Sequence, residues 1–113
     1  MADVLGTFEQ AVLLALLRPT TALGREAYGR AVLKELQARL GRHVSAGAVY
    51  ATLERLEAKG LISSRLGPGT AMRAGRPRRY YKIEGPGLRA LNEARATSKR
   101  LWAGVRLPAQ GTA

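Results

Sequence analysis

The chain has 113 residues, 46% of them apolar and 24% charged, which suits one small domain with its own core and excludes a disordered tail protein. It has no cysteine and one histidine, His43, so disulfide frameworks, thiol catalysis and the common zinc sites are excluded, and no metal or cofactor is expected. Nineteen lysines and arginines against eight acids give a formal charge of +11, far more than solubility needs and a pointer to a polyanionic partner.

In chain order, Thr7 is placed to cap a first helix, with Gln10 completing a capping box. From Phe8 to Leu17 that helix is apolar nearly all round, so burial on several sides is expected. Its apolar run, Ala11 to Leu17, is far shorter than the ~20 residues that cross a bilayer. The N-terminus has no basic stretch before an apolar one, so no signal peptide is read and a cytoplasmic protein is expected. Pro19 ends the helix. A second helix starts at Tyr28 or Gly29 and runs to Leu40, on a stripe of Tyr28, Val32, Leu36 and Leu40 widened by Leu33. Gly41 suits a left-handed C-terminal cap.

A third helix is expected over Ser45 to Lys59. Ser45 is a strong N-cap, and Val44 with Val49 occupies the two positions of a hydrophobic staple. Val49, Leu53 and Leu56 mark its buried stripe, and Lys59-Gly60 closes it. Two helices joined by a tight glycine-containing turn form a helix-turn-helix. Leu61 to Leu66 reads as a strand, residues 67 to 77 as a loop, and Arg79 to Glu84 as the return strand with Tyr81 and Ile83 facing the core. Between Arg73 and Lys82 there are five basic residues and no acid. Pro86 suits the first position of a last helix, whose Leu88, Leu91, Ala94, Ser98, Leu101 and Val105 form a narrow seam for a partner helix.

The fold class is therefore mainly α with a small β-hairpin (α+β): a winged helix-turn-helix DNA-binding domain over residues 1–85, a C-terminal dimerisation helix over 86–106 and a flexible tail over 107–113. A helix fits the major groove, and a basic hairpin beside it reaches the flanking backbone. On the third helix, Gly47, Ala51 and Ala58 face outward at about 100° per residue, flanked by Tyr50, Glu54 and Arg55. Small outward residues allow close approach to a groove. The expected DNA contacts are Ser45, Gly47, Tyr50, Ala51 and Arg55 on this helix, with Arg76, Arg78 and Arg79 on the wing over 67–79. Glu54 either accepts from a cytosine amino group or lies beyond the contact zone. The Leu/Ala stripe of the last helix would stay wet in a monomer, which makes Leu88, Leu91, Ser98, Leu101, Trp102 and Val105 the expected homodimer interface.

Three segments carry a family resemblance. Leu5-Gly6-Thr7-Phe8-Glu9 with Glu26-Ala27-Tyr28-Gly29, then Val44-Ser45-Ala46-Gly47-Ala48-Val49-Tyr50 through Lys59-Gly60-Leu61-Ile62, and Gly75-Arg76-Pro77-Arg78-Arg79-Tyr80-Tyr81-Lys82-Ile83 resemble the opening, recognition helix and wing of the PadR family of bacterial repressors. The resemblance covers residues 4 to 105 and is of the short type with one C-terminal helix. Family members commonly have Leu-Thr where this chain has Ile83-Glu84. The resemblance implies a homodimeric repressor on an inverted-repeat promoter operator, its last helix packed on the partner's first. It also implies that Trp102 either sandwiches a small planar aromatic effector at the dimer centre or simply packs there. Two further classes remain: a non-specific nucleic-acid-coating or architectural protein, which +11 equally permits, and an enzyme, for which no acid/base pair, metal set or nucleophile is present.

Overall fold

A computed structural model describes residues 5–18, 27–69 and 77–109. Among these, the elements are α1 (Thr7–Leu17), β1 (Ala27–Tyr28), α2 (Gly29–Leu40), α3 (Ala46–Ala58), β2 (Ile62–Gly69), β3 (Pro77–Ile83) and α4 (Gly85–Trp102). The helices pack around one core, and the antiparallel strands lie in the order β1-β3-β2.

Local chemistry sets most of the boundaries. Helix α1 is capped one residue earlier than Thr7 would cap it. Gly6 is the N-cap, and the Glu9 carboxylate accepts from the Gly6 amide at 3.1 Å. Gln10, the expected box partner, instead donates to the Leu5 carbonyl at 3.0 Å. Glutamate at the third helical position has the reach for the N-cap amide, and its charge suits the positive end of the helix. Gly41 has φ +65°, the left-handed end expected for α2. The Gln37 side chain then accepts from the Val44 amide at 3.3 Å, which ties the turn into α3 back to α2.

Ser45 caps α3 by accepting from the Ala48 amide at 3.1 Å. Val44 and Val49 are both buried, as a staple requires. At the other end Leu61 N–H bonds the Leu56 carbonyl at 3.0 Å and Gly60 N–H bonds the Glu57 carbonyl at 2.9 Å. With Gly60 at φ +78°, this is a Schellman closure. Val49, Leu53 and Leu56 are fully buried, contributing about 1.5–3 kcal/mol each.

Further features depart from the sequence reading, beginning with the strands: β2 runs on to Gly69 and β3 starts at Pro77, where a loop over 67–77 is expected. The two residues of β1 pair with β3, Ala27 opposite Tyr81 and Tyr28 opposite Tyr80, so the hairpin becomes a three-stranded sheet. Leu66 is exposed, because β2 has by then run past the edge of the core. Pro86 takes the second helical position of α4, behind Gly85. Helix α4 ends at Trp102 with Gly104 at φ +75°, which leaves Val105 beyond the last turn.

The start of α4 lies close to the sheet. A Cβ on buried Gly87 would collide with the Leu61 carbonyl and come within 2.7 Å of Ile83. The backbone of Leu61 is fixed by the α3 closure and by Glu84 N–H bonding its carbonyl at 2.9 Å. Gly87→Ala is therefore expected to lower stability by about 1–3 kcal/mol, read as a shift in the urea midpoint at unchanged slope. Gly47→Ala, with open space at its Cβ, is the control and should not lose stability.

Candidate nucleic-acid interface

Helix α3 divides its side chains among three directions. Thr52, Arg55 and Lys59 lie toward α1. Arg55 Nε and Lys59 Nζ approach the Glu9 carboxylate at 3.4 and 3.1 Å, and Arg55 Nη2 donates to Thr52 Oγ1 at 3.3 Å. Glu9 is nearly buried, so one carboxylate caps α1 and joins it to α3. Burial alone would raise its pKa, but the Gly6 amide, Lys59 and Arg55 outweigh that, and the group titrates below the ordinary 4.5. Arg55 is half-exposed, yet it is engaged by Glu9.

Tyr50 and Glu57 lie toward the sheet. The Tyr50 ring rests on the backbone of Gly29 at the start of α2, where any Cβ would collide with it, and the side chain stays 43% exposed. Ser64 Oγ on β2 donates to the Glu57 carboxylate, 2.8 and 3.0 Å from its two oxygens, and accepts from Arg79 Nη1 at 2.9 Å. This chain of contacts links α3, β2 and β3. Tyr81 is buried on the core side of β3. Its hydroxyl pKa is raised by burial and further by nearby Tyr50, Glu57 and Glu54, with Arg79 acting against the shift.

The third direction carries Gly47, Ala51, Glu54 and Ala58, all exposed. Of the expected contact residues, Gly47 and Ala51 are on this outer strip, Ser45 is at the helix N-terminus, and Tyr50 is on the sheet flank beside the strip, partly exposed. Arg79 is exposed on β3, Arg78 is half-buried, and Arg76 lies outside the described residues. Sequence reasoning missed Arg65, which stands directly opposite Tyr80 in the β2–β3 register and stacks over its ring at 5.1 Å. The available signal was the cross-strand spacing of a cation and an aromatic residue on two strands of one hairpin.

A second surface lies on the far side of α1. Leu14 and Leu17 are 44% and 46% exposed, so α1 is not covered all round. With Leu88 and Leu91 of α4 they line a groove of about 900 Å³. Leu91 also touches the core of its own chain, whereas Leu101 and Trp102 are exposed at the end of α4 and Val105 just past it. Ser98 lines the groove. No described helix is long and apolar enough to cross a membrane, and the described residues hold no cluster of metal-ligating side chains.

The sequence pattern of the family described as Transcriptional regulator PadR-like matches residues 20–93. The chain belongs to this family. Among solved structures it is similar to a PadR family transcriptional regulator from Eggerthella lenta, at 33% identity and TM-score 0.63 over 82% of this chain and 75% of that one. A PadR-like transcription factor from Bacteroides fragilis matches at 29% identity and TM-score 0.69, over 85% and 84% of the two chains. Bacillus subtilis PadR, solved in complex with operator DNA, shares the fold at 17% identity and TM-score 0.63; 96% of this chain covers 54% of that one. None of the curated proteins compared with the chain matches it.

The Glu9 contacts have a measurable consequence. A carboxylate held below its ordinary pKa contributes stability that is present above that ordinary value and fades as pH falls through the lower native value. Glu9→Gln should destabilise the fold by about 1–2 kcal/mol at neutral pH. It should also flatten the loss of stability between about pH 5 and pH 3, measured by urea unfolding. An unchanged acid limb would show that Glu9 is not held as described.

Proposed function

We propose that the protein is a homodimeric, sequence-specific transcriptional repressor that binds an inverted-repeat promoter operator. In this reading residues 1–85 are the DNA-binding unit, α3 enters the major groove and the β2–β3 wing holds phosphates. The observation that carries it is the outer strip of α3, small and exposed over Gly47 and Ala51, standing beside a basic hairpin tied to it through Glu57, Ser64 and Arg79. Ser45 at the helix N-terminus and Tyr50 are the polar groups nearest to that strip, and a helix N-terminus suits a phosphate. The operator complex of Bacillus subtilis PadR supports the same use of the shared fold.

The second half of the proposal is α4 as the dimerisation helix. Leu88, Leu101, Trp102 and Val105 are each about half exposed or more, an apolar surface that a second copy would cover. The groove between α1 and α4 gives the partner's α4 a place to lie. Trp102, at the end of that seam, is the residue we assign to a small planar aromatic effector, whose binding would quench its fluorescence stoichiometrically.

Two measurements test the proposal. Binding to duplex DNA from just upstream of the gene, against a scrambled duplex, should show a ratio of roughly a thousandfold or more at physiological salt. Equal, steeply salt-dependent binding to both would instead mark a nucleic-acid-coating protein. Tyr50→Ala should weaken specific binding about tenfold or more, while Arg78→Ala should weaken all duplexes and lower the salt slope by about one. Light scattering should give a dimer at micromolar concentration. Leu101→Glu should give a monomer with unchanged unfolding of the domain, because Leu101 is 73% exposed; a wild-type monomer would overturn the dimer.

A further inference from the structure

Most described carboxylates of this basic chain are engaged. Glu9 holds the Gly6 amide, Arg55 and Lys59, and Glu35 holds Arg18 and Arg39. Glu57 accepts from Ser64, and Glu84 accepts from Ser63 and pairs with Lys82. Glu54 is different. It is exposed in the middle of α3, and among the described residues it has no ion pair or hydrogen bond. Its sequence neighbour Arg55, the nearest cation along the helix, is drawn toward α1 by Glu9.

The surroundings of Glu54 are as informative as its lack of a partner. Residues 47, 51, 54 and 58 follow one another at helical spacing on one face, and the other three are glycine or alanine. Glu54 therefore projects beyond its neighbours and is the first side chain of that strip to meet whatever approaches it. An unneutralised carboxylate facing a polyanion is repelled unless it finds a hydrogen-bond donor. In the major groove the base-edge donors are the amino groups of cytosine and adenine, and the adenine donor sits beside the N7 acceptor, which repels a carboxylate.

We infer that Glu54 is a specificity-determining residue that selects cytosine at one position of each operator half-site by accepting from its N4 amino group. The inference rests on the proposed entry of α3 into the major groove. Repulsion from phosphates would then act against every site that lacks this donor, so the same residue rejects wrong sequences as well as favouring the right one.

Selection from a pool of duplexes with randomised half-sites tests it, with wild type, Glu54→Ala and Glu54→Gln carried in parallel. The expected result is one column per half-site in which the wild type prefers cytosine about tenfold or more. That column alone should relax in Glu54→Ala and should shift toward adenine in Glu54→Gln, whose amide offers both a donor and an acceptor. Recovery of the same motif by wild type and Glu54→Ala would overturn the role of Glu54 while leaving groove reading intact. Tighter binding of Glu54→Ala to every sequence, with the motif unchanged, would also overturn it, since the carboxylate would then only repel. Recovery of no motif by the wild type would overturn the groove reading itself, and this inference with it.

Discussion

Helix α3 buries Val49, Leu53 and Leu56 completely, and that one stripe determines where its remaining side chains point. With the inner face fixed in the core, helical geometry leaves two flanks and an outer strip. One flank meets α1 through Thr52, Arg55 and Lys59, and the other meets the sheet through Tyr50 and Glu57. Both flanks are secured by polar contacts that resist rotation of the helix about its axis. What remains outward is narrow, mostly small and aligned with the basic hairpin. Any loss of packing under Val49 or Leu53 would turn this strip, so the proposed reading surface depends on the core directly.

Not all nineteen lysines and arginines are presented freely. Arg18 and Arg39 surround Glu35, Arg55 and Lys59 surround Glu9, and Lys82 pairs with Glu84. The exposed Lys82–Glu84 pair adds little stability, but together with the pairs to the largely buried Glu9 and Glu35 it fixes where positive charge is presented. On the β2–β3 hairpin, Arg65 lies over Tyr80 and Arg79 hangs from Ser64. Such tethering lowers the conformational entropy lost when a side chain meets a phosphate. It also keeps the wing in a fixed relation to α3 through Glu57.

Much of this was legible in the sequence, for a reason that shows in particular residues. Ser45 as a cap, the Val44–Val49 staple, Gly41 in the left-handed region and the closure at Gly60 are all local, decided within five or six residues. The cap of α1 was misplaced because Thr7 and Gly6 are both acceptable caps by type. The choice fell to Glu9, whose carboxylate is held by Lys59 and Arg55 some fifty residues away. Strand β1 is two residues long and exists only because β3 lies beside it, so no periodicity could announce it. Leu66 fitted the alternation of a buried strand, but alternation does not tell where the core ends. The proposed contact surface can be read from the sequence only as a set of residue types. That Arg55 is drawn to α1 and Glu54 is left alone required the tertiary arrangement.

The second surface, along α1 and α4, was legible as a narrow seam at heptad-like spacing. Its geometry adds a constraint that the seam alone did not contain: Leu91 already packs on its own core, so only one edge of α4 remains for a partner. In the proposed dimer, a symmetric pair built on that edge would present two copies of α3 to one face of a duplex. Hydroxyl-radical footprinting on the bound operator tests this account most directly. It predicts two symmetric protected patches on one face of the duplex, with centres one helical turn or about 34 Å apart. A single patch, or uniform protection along the duplex, would contradict it.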